Sequence, residues 1–359
     1  MSIEVNTRVR DIPVYPAAET YAFDGDLVKL ASNETPWPPH PAVLEAVASA
    51  TKSLNRYPDP TAAALRARIA DRCGVPAAKV TVGNGSCEIL LAAAEALLEP
   101  GAEIVYAWPS FSMYPHLAAM TGATAITVPL DDEEKHDLQA MAREVTVATR
   151  ILVVCNPNNP TATALTVDEI DAFVGELPRH VCVIVDEAYV EFNTLQDPDA
   201  SLPLLDRHPN LVLLRTFSKV YGLCGLRVGY ALGSEDFKAA CDRVRQPFSV
   251  NMLAQAAAAE AIRHQDEVES RVERTVVERL HVESALAERG LRSTDSQANF
   301  SWVDLGDHDE ADVMRGLGER GVIVRSGTDL GGEGRIRVTY GTRPENDRFL
   351  AALDQALAS

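Results

Sequence analysis

No window of this 359-residue chain comes near the roughly 18 uncharged apolar residues that a membrane-spanning helix needs. There is no excess of positive charge either. Against 52 Asp and Glu stand only 33 Lys and Arg, a formal charge of −19. Nucleic acid and anionic membrane surfaces reward the opposite balance, so neither is an expected partner. The six cysteines form no C-x-x-C pair, and the eight histidines form no H-x-x-x-H or Cys/His cluster, so no metal site is expected. The start, Met1-Ser2-Ile3-Glu4-Val5-Asn6, lacks a basic region followed by an apolar stretch, so no secretory signal is expected. Phosphate-loop and dinucleotide fingerprints are missing too. These absences predict a cytoplasmic, reduced, metal-free protein.

What is present is apolar content, 46% of residues, in a chain long enough to bury a sizeable core. In its middle, short apolar runs alternate with helical patterns: Val80–Val82, Glu103–Ala107, Ile151–Cys155, Val181–Val185 and Leu211–Leu214 read as strands. Helices are expected over Ser86–Leu98 and about Val167–Gly175. Fully apolar strands separated by helices indicate a mostly parallel sheet covered on both faces, hence an α/β fold. Beyond about residue 250 the pattern changes to one long helical stretch, Met252–Glu288. Strand candidates follow at Asn299–Val303, Val322–Val324 and Arg335–Tyr340, with helices near Glu310–Glu319 and Pro344–Leu357. Such segregation suggests a smaller α+β domain, on which the Pro-rich N-terminal forty residues are expected to pack. The expected division is a large α/β domain over 45–250 and a small one from 1–44 with 251–359.

Ligands of parallel α/β sheets bind outside the carboxyl ends of the strands, and polar groups gather there. Gly83-Asn84-Gly85-Ser86 opens into a helix whose N-terminus suits an anion, or is an ordinary strand–helix turn. Asn156-Pro157-Asn158-Asn159-Pro160-Thr161 is a stiffened loop with amide groups to offer a ligand, or a rigid capped turn. Asp186-Glu187-Ala188-Tyr189 sets a carboxylate at the end of an apolar strand, which is costly unless a cation faces it. Arg215-Thr216-Phe217-Ser218-Lys219 puts an amine among hydroxyls, with Arg227 following. That is the setting of a lysine used for Schiff-base chemistry.

Together these groups suit one ligand, pyridoxal 5′-phosphate. Its aldehyde needs Lys219, and its ring nitrogen needs an anion such as Asp186. Its phenolic oxygen needs donors, here Asn159 and Tyr189. Its phosphate needs the Gly85-Ser86 turn, Ser218 and Arg227, with Thr216 close by. Phe111, in Trp108-Pro109-Ser110-Phe111, either covers the ring or packs the core.

The same residues carry a resemblance. The Asn156–Thr161 and Asp186–Tyr189 segments and Ser218-Lys219 with Arg227 resemble the fold-type I aminotransferases. Ala31-Ser32-Asn33-Glu34 and Asn55-Arg56-Tyr57-Pro58-Asp59 resemble the histidinol-phosphate branch of that family. The resemblance implies a homodimer with Tyr57 reaching the cofactor phosphate of the neighbouring subunit. It implies Lys219, Asp186 and Tyr189 as catalytic residues, and Arg337 as the receptor of the substrate anion, aided by Arg325. Asn33 and Tyr21 complete the substrate-binding set. Cys87 stands where relatives often place an acidic or amide residue, and Ala162 where glycine is commonest. The first implied substrate is histidinol phosphate with 2-oxoglutarate as acceptor, in histidine biosynthesis. Phenylalanine or tyrosine is the alternative, since Trp108–Phe111 and Ser296-Gln297-Ala298-Asn299-Phe300 also look like the aromatic amino acid aminotransferases. A decarboxylase of phosphorylated amino acids, which shares the fold, is the more remote reading.

Overall fold

Alternate residues along each central strand belong to opposite apolar layers, and that alternation organises the molecule. In the computed structural model, which describes residues 3, 4, 6 and 25–358, Val105 and Ala107 face one layer while Ile104 and Tyr106 face the other. Leu152 and Val154 likewise oppose Ile151 and Val153. A strand buried on both sides must be apolar throughout, which is why these runs read as continuous.

In chain order the strands are β1 (Val28–Lys29), β2 (Val80–Gly83), β3 (Glu103–Trp108), β4 (Thr124–Pro129), β5 (Thr149–Cys155), β6 (Cys182–Asp186) and β7 (Leu211–Thr216). Then come β8 (Gly229–Leu232), β9 (Arg292–Ser293), β10 (Phe300–Asp304), β11 (Val322–Ile323), β12 (Arg325–Ser326) and β13 (Arg335–Thr339). The main sheet has seven strands in the order β2-β8-β7-β6-β5-β3-β4. β8 runs antiparallel to both its neighbours, and the other pairings are parallel. The fold is that of a doubly covered α/β domain, with the polar groups after β5, β6 and β7 side by side at one edge.

A second sheet, β12-β13-β10-β9, is antiparallel and shares its core with the Glu310–Glu319 and Arg343–Leu357 helices. β1 pairs in parallel with β11, and Val28 and Leu30 enter this second core, tying the start of the described chain to its end.

Two expectations need correction. The stretch expected as one helix, Met252–Glu288, is two helices, Met252–Ala261 and Gln265–Glu288. The break has a packing cause rather than a glycine or proline. Ala254, Ala257, Ala258 and Ala261 seat the first helix in the large core. The second is aimed elsewhere by Arg271, whose buried guanidinium donates to the carbonyls of Val220 and Pro38 at 3.0 and 2.6 Å. The strand expected at Val322–Val324 is shorter, β11 ending at Ile323, and a separate strand, β12, follows it at Arg325–Ser326 and pairs with a different partner.

Candidate active site

At the carboxyl edge of β5, β6 and β7 lies a cavity of about 300 Å³. Lys219, in the loop after β7, lines it, and its Nζ donates to the Ser32 carbonyl at 3.1 Å. Nζ also lies 5.6 Å from the centre of the Tyr189 ring. Burial first, and then the Arg337 charge, lower the Lys219 amine to about 8. Asp186 ends β6 with 3% exposure, and burial pushes its carboxyl up to about 6. Its Oδ2 accepts from the Tyr114 hydroxyl at 3.0 Å and its Oδ1 from the Ala188 amide at 3.3 Å. The Tyr189 hydroxyl, raised well beyond the phenol range by burial, accepts from Asn33 Nδ2 at 2.9 Å. Amine, acid and phenol thus share one partly dry enclosure.

One corner is built for a dianion. Gly85, with φ of +77°, caps the Ser86–Leu97 helix, whose first amides have no partner within the helix. A Cβ on Gly85 would stand 2.6 Å from Arg227 Nη2, so only glycine lets guanidinium and helix end approach this closely. Arg227 Nη1 donates to the Cys224 carbonyl at 3.0 Å and reaches Ser218 Oγ at 3.4 Å. Thr216 Oγ1 accepts the Ser218 amide at 3.0 Å, and Thr216, Ser86 and Cys87 also line the cavity. Burial raises the Cys87 thiol, so it stays uncharged there.

The opposite wall carries the guanidinium groups. Arg325 and Arg337 face each other in register across β12 and β13, and both are buried and line the cavity. Arg337 Nη1 donates to Asn159 Oδ1 and Nη2 to the Ala31 carbonyl at 2.6 Å. Its guanidinium also lies 5.3 Å from the centre of the Phe300 ring. Phe111 lines the cavity with its ring edge-on to Tyr114, centres 5.7 Å apart.

The structure therefore brings together Lys219, Asp186, Tyr189, Asn159, Asn33, Ser86, Cys87, Phe111, Thr216, Ser218, Arg227, Arg325 and Arg337, with Gly85 capping the adjoining helix. It does not bring in Tyr57, which is 81% exposed and stacks on Phe248 with centres 4.7 Å apart. Tyr21 lies outside the described residues. Sequence reasoning gave no role to Tyr114, and of the Ala31–Glu34 segment it did not foresee that the Ser32 carbonyl would accept from Lys219. Tyr114 looks like a core aromatic in a helix, and a backbone carbonyl has no sequence signal at all.

Residues 25–353 match the family model described as Aminotransferase class I and II. The chain belongs to that family. Its cofactor is pyridoxal 5′-phosphate and its reaction is amino-group transfer. The cavity fits that cofactor on its own terms: a depressed amine, a buried acid and a dianion corner are what an aldehyde, a ring nitrogen and a phosphate require. An aromatic amino acid aminotransferase from Thermobifida fusca is 46% identical, covering 94% of this chain and 93% of its own. One from Streptomyces avermitilis is 41% identical, over 99% and 98%. A histidinol-phosphate aminotransferase from Geobacillus thermodenitrificans is 40% identical, over 99% and 98%. Among solved structures, the histidinol-phosphate aminotransferase of Sinorhizobium meliloti in complex with pyridoxal-5′-phosphate superposes with a TM-score of 0.88 at 25% identity. It covers 100% of this chain and 98% of its own. Among the described residues no group of three or more His, Cys, Asp or Glu could hold a metal ion, and no helix is long and apolar enough to cross a membrane.

Proposed function

We propose that the protein moves the amino group of phenylalanine or tyrosine to a keto acid such as 2-oxoglutarate. The observation that carries this reading is Arg337, a buried guanidinium steadied by Asn159 and the Ala31 carbonyl on the cavity wall. A fork so held receives a carboxylate in bidentate fashion. Aromatic amino acids and 2-oxoglutarate both bring an α-carboxylate to this fork, so Arg337 supports transamination of an amino acid with a keto acid. The relatives rank the amine substrate, reversing the order drawn from motifs: those named for aromatic amino acids reach 46% identity, against 40% for the histidinol-phosphate enzyme cited above. Histidinol phosphate remains the second reading because Arg325 sets another cation beside Arg337, as a dianionic phosphate would use.

When bound, the cofactor supplies an aldehyde that takes up the amino group and a ring that accepts the electron pair released at the substrate α-carbon. Lys219 would hold it, and the same Nζ, brought closer to neutrality by burial, would in its neutral form remove the α-proton and return it. Asp186 would face the ring nitrogen as an anion. Tyr189 and Asn159 would donate to the phenolic oxygen, and Phe111 would cover the ring. Arg227, Ser218, Thr216 and the Gly85–Cys87 turn would take the phosphate. Arg337, helped by Arg325 and Asn33, would orient the substrate so that its α-hydrogen points at Lys219.

The working form we propose is a cytoplasmic homodimer in which Tyr57 serves the neighbouring subunit, supported by its outward placement on this one. We also propose the division into 45–250 and 1–44 with 251–359, although the Met252–Ala261 helix of the second part packs into the large core. The test of substrate is a half-reaction series. Loaded protein is mixed separately with phenylalanine, tyrosine, histidinol phosphate and glutamate while the visible band of the bound cofactor is followed. Faster loss of the band with phenylalanine or tyrosine is expected; a clear preference for histidinol phosphate overturns the substrate assignment. Carbon dioxide release during turnover would instead mark a decarboxylase.

A further inference from the structure

The two oxygens of Asp186 are served unequally. Oδ1 meets a local turn amide, that of Ala188 at 3.3 Å, while Oδ2 meets the Tyr114 phenol at 3.0 Å. Tyr114 comes from the Met113–Thr121 helix, and its side chain is wholly buried. Its ring stands at 87° to Phe111, so one side chain touches both the acid and the aromatic of the cavity.

Burial, reinforced by the Asp186 charge, holds the Tyr114 phenol well above its usual range. It therefore stays a proton donor at any working pH. A permanent donor on a buried carboxylate favours the ionised form and opposes the desolvation that pushes Asp186 up to about 6. The other titratable groups facing Asp186 do not replace it. The Cys155 thiol is driven up to about 12 and the Cys87 thiol is also raised, so both stay neutral. Glu187 is paired with Arg215 at 2.7 Å, and Lys219 is the amine that the cofactor aldehyde would take.

We propose that Tyr114 is a positioning residue: its hydroxyl keeps Asp186 anionic and aimed at the ring nitrogen of the cofactor, while its ring edge seats Phe111. This rests on the cavity being the cofactor site and is independent of which amino acid is the substrate.

The test is equilibrium binding to cofactor-free protein of pyridoxal 5′-phosphate and of its 1-deaza analogue, in which carbon replaces the ring nitrogen. Wild type is expected to prefer the natural cofactor. Tyr114→Phe keeps the ring and its volume but removes the donor, and is expected to narrow that preference about tenfold. In an Asp186→Asn background the same change is expected to leave the preference where it stands, since a structural role alone would act in both backgrounds. A wild-type preference that Tyr114→Phe leaves intact overturns the proposal for Tyr114. Absence of any preference in wild type overturns the assignment of Asp186 itself, and the proposal with it.

Discussion

Arg337 Nη1 donates to Asn159 Oδ1, joining β13 of the small sheet to the loop after β5 of the large one. In the proposed role of Arg337, an arriving substrate carboxylate lands on a group already fixed to the loop after β5. That pre-positioning lowers the entropy lost on binding.

Lysine at this position tests the fork. Arg337→Lys keeps the charge but cannot hold Asn159, the Ala31 carbonyl and a carboxylate together. The expected outcome is a rise in KM for the aromatic amino acid of about tenfold or more, on the scale of a hydrogen bond to a charged group. Steady-state kinetics with the keto acid saturating checks it, and an unchanged KM would place the carboxylate elsewhere.

Gly229 tests the dianion corner. A Cβ there would meet the Ser86 amide nitrogen at 2.5 Å and the Arg215 carbonyl at 3.1 Å, both backbone atoms with little freedom to move. Gly229→Ala is expected to cost about 1–3 kcal/mol of stability, as overpacking does. Because the Ser86 amide belongs to the proposed phosphate site, the gap between cofactor-free and loaded melting temperatures should also narrow. An undiminished gap would remove the helix end from the site.

Asp186 gives a pH signature. Burial raises its folded-state value from 3.8 to about 6. For an acid raised on folding, the stability it contributes is full below pH 3.8 and is lost as pH rises through about 6. The loss amounts to about 3 kcal/mol in the cofactor-free protein. Asp186→Asn abolishes this titration, so urea unfolding should show the variant gaining on wild type between about pH 4 and about pH 7. Parallel pH curves would mean that Asp186 is not desolvated.

Lys219 gives a second signature, in a rate. Its amine is lowered to about 8 in the cofactor-free protein, chiefly by burial. Only the neutral amine attacks an aldehyde. Covalent capture of the cofactor should accelerate about tenfold per pH unit below that value and level off above it. Stopped-flow absorbance checks this, and a rate still climbing toward pH 10.5, the ordinary lysine value, would show an amine that its surroundings leave unshifted.

The sheet and most of the site were legible because both write themselves into sequence order. A strand buried on two faces must be an apolar run, as in β5, β6 and β7, and the polar residues after each run can only sit at the carboxyl edge. Less visible were β4, a mostly exposed strand whose Thr-Ala-Ile-Thr-Val-Pro mixes polar and apolar residues, and β8, a four-residue strand running against its neighbours. The break at Ile262–His264 was hidden because tertiary packing imposes it on residues that favour helix. Tyr114 was hidden for the opposite reason: nothing in Met113-Tyr114-Pro115 separates a tyrosine that fills space from one that also serves a carboxylate 72 positions away.

The central claim is that Lys219 is the residue that binds the cofactor covalently. Borohydride reduction of loaded protein, followed by digestion and peptide mass mapping, reads that bond directly. The account predicts a phosphopyridoxyl group on Lys219, and no labelled peptide from Lys219→Ala. A label on another lysine, or an unlabelled Lys219 in wild type, would contradict it.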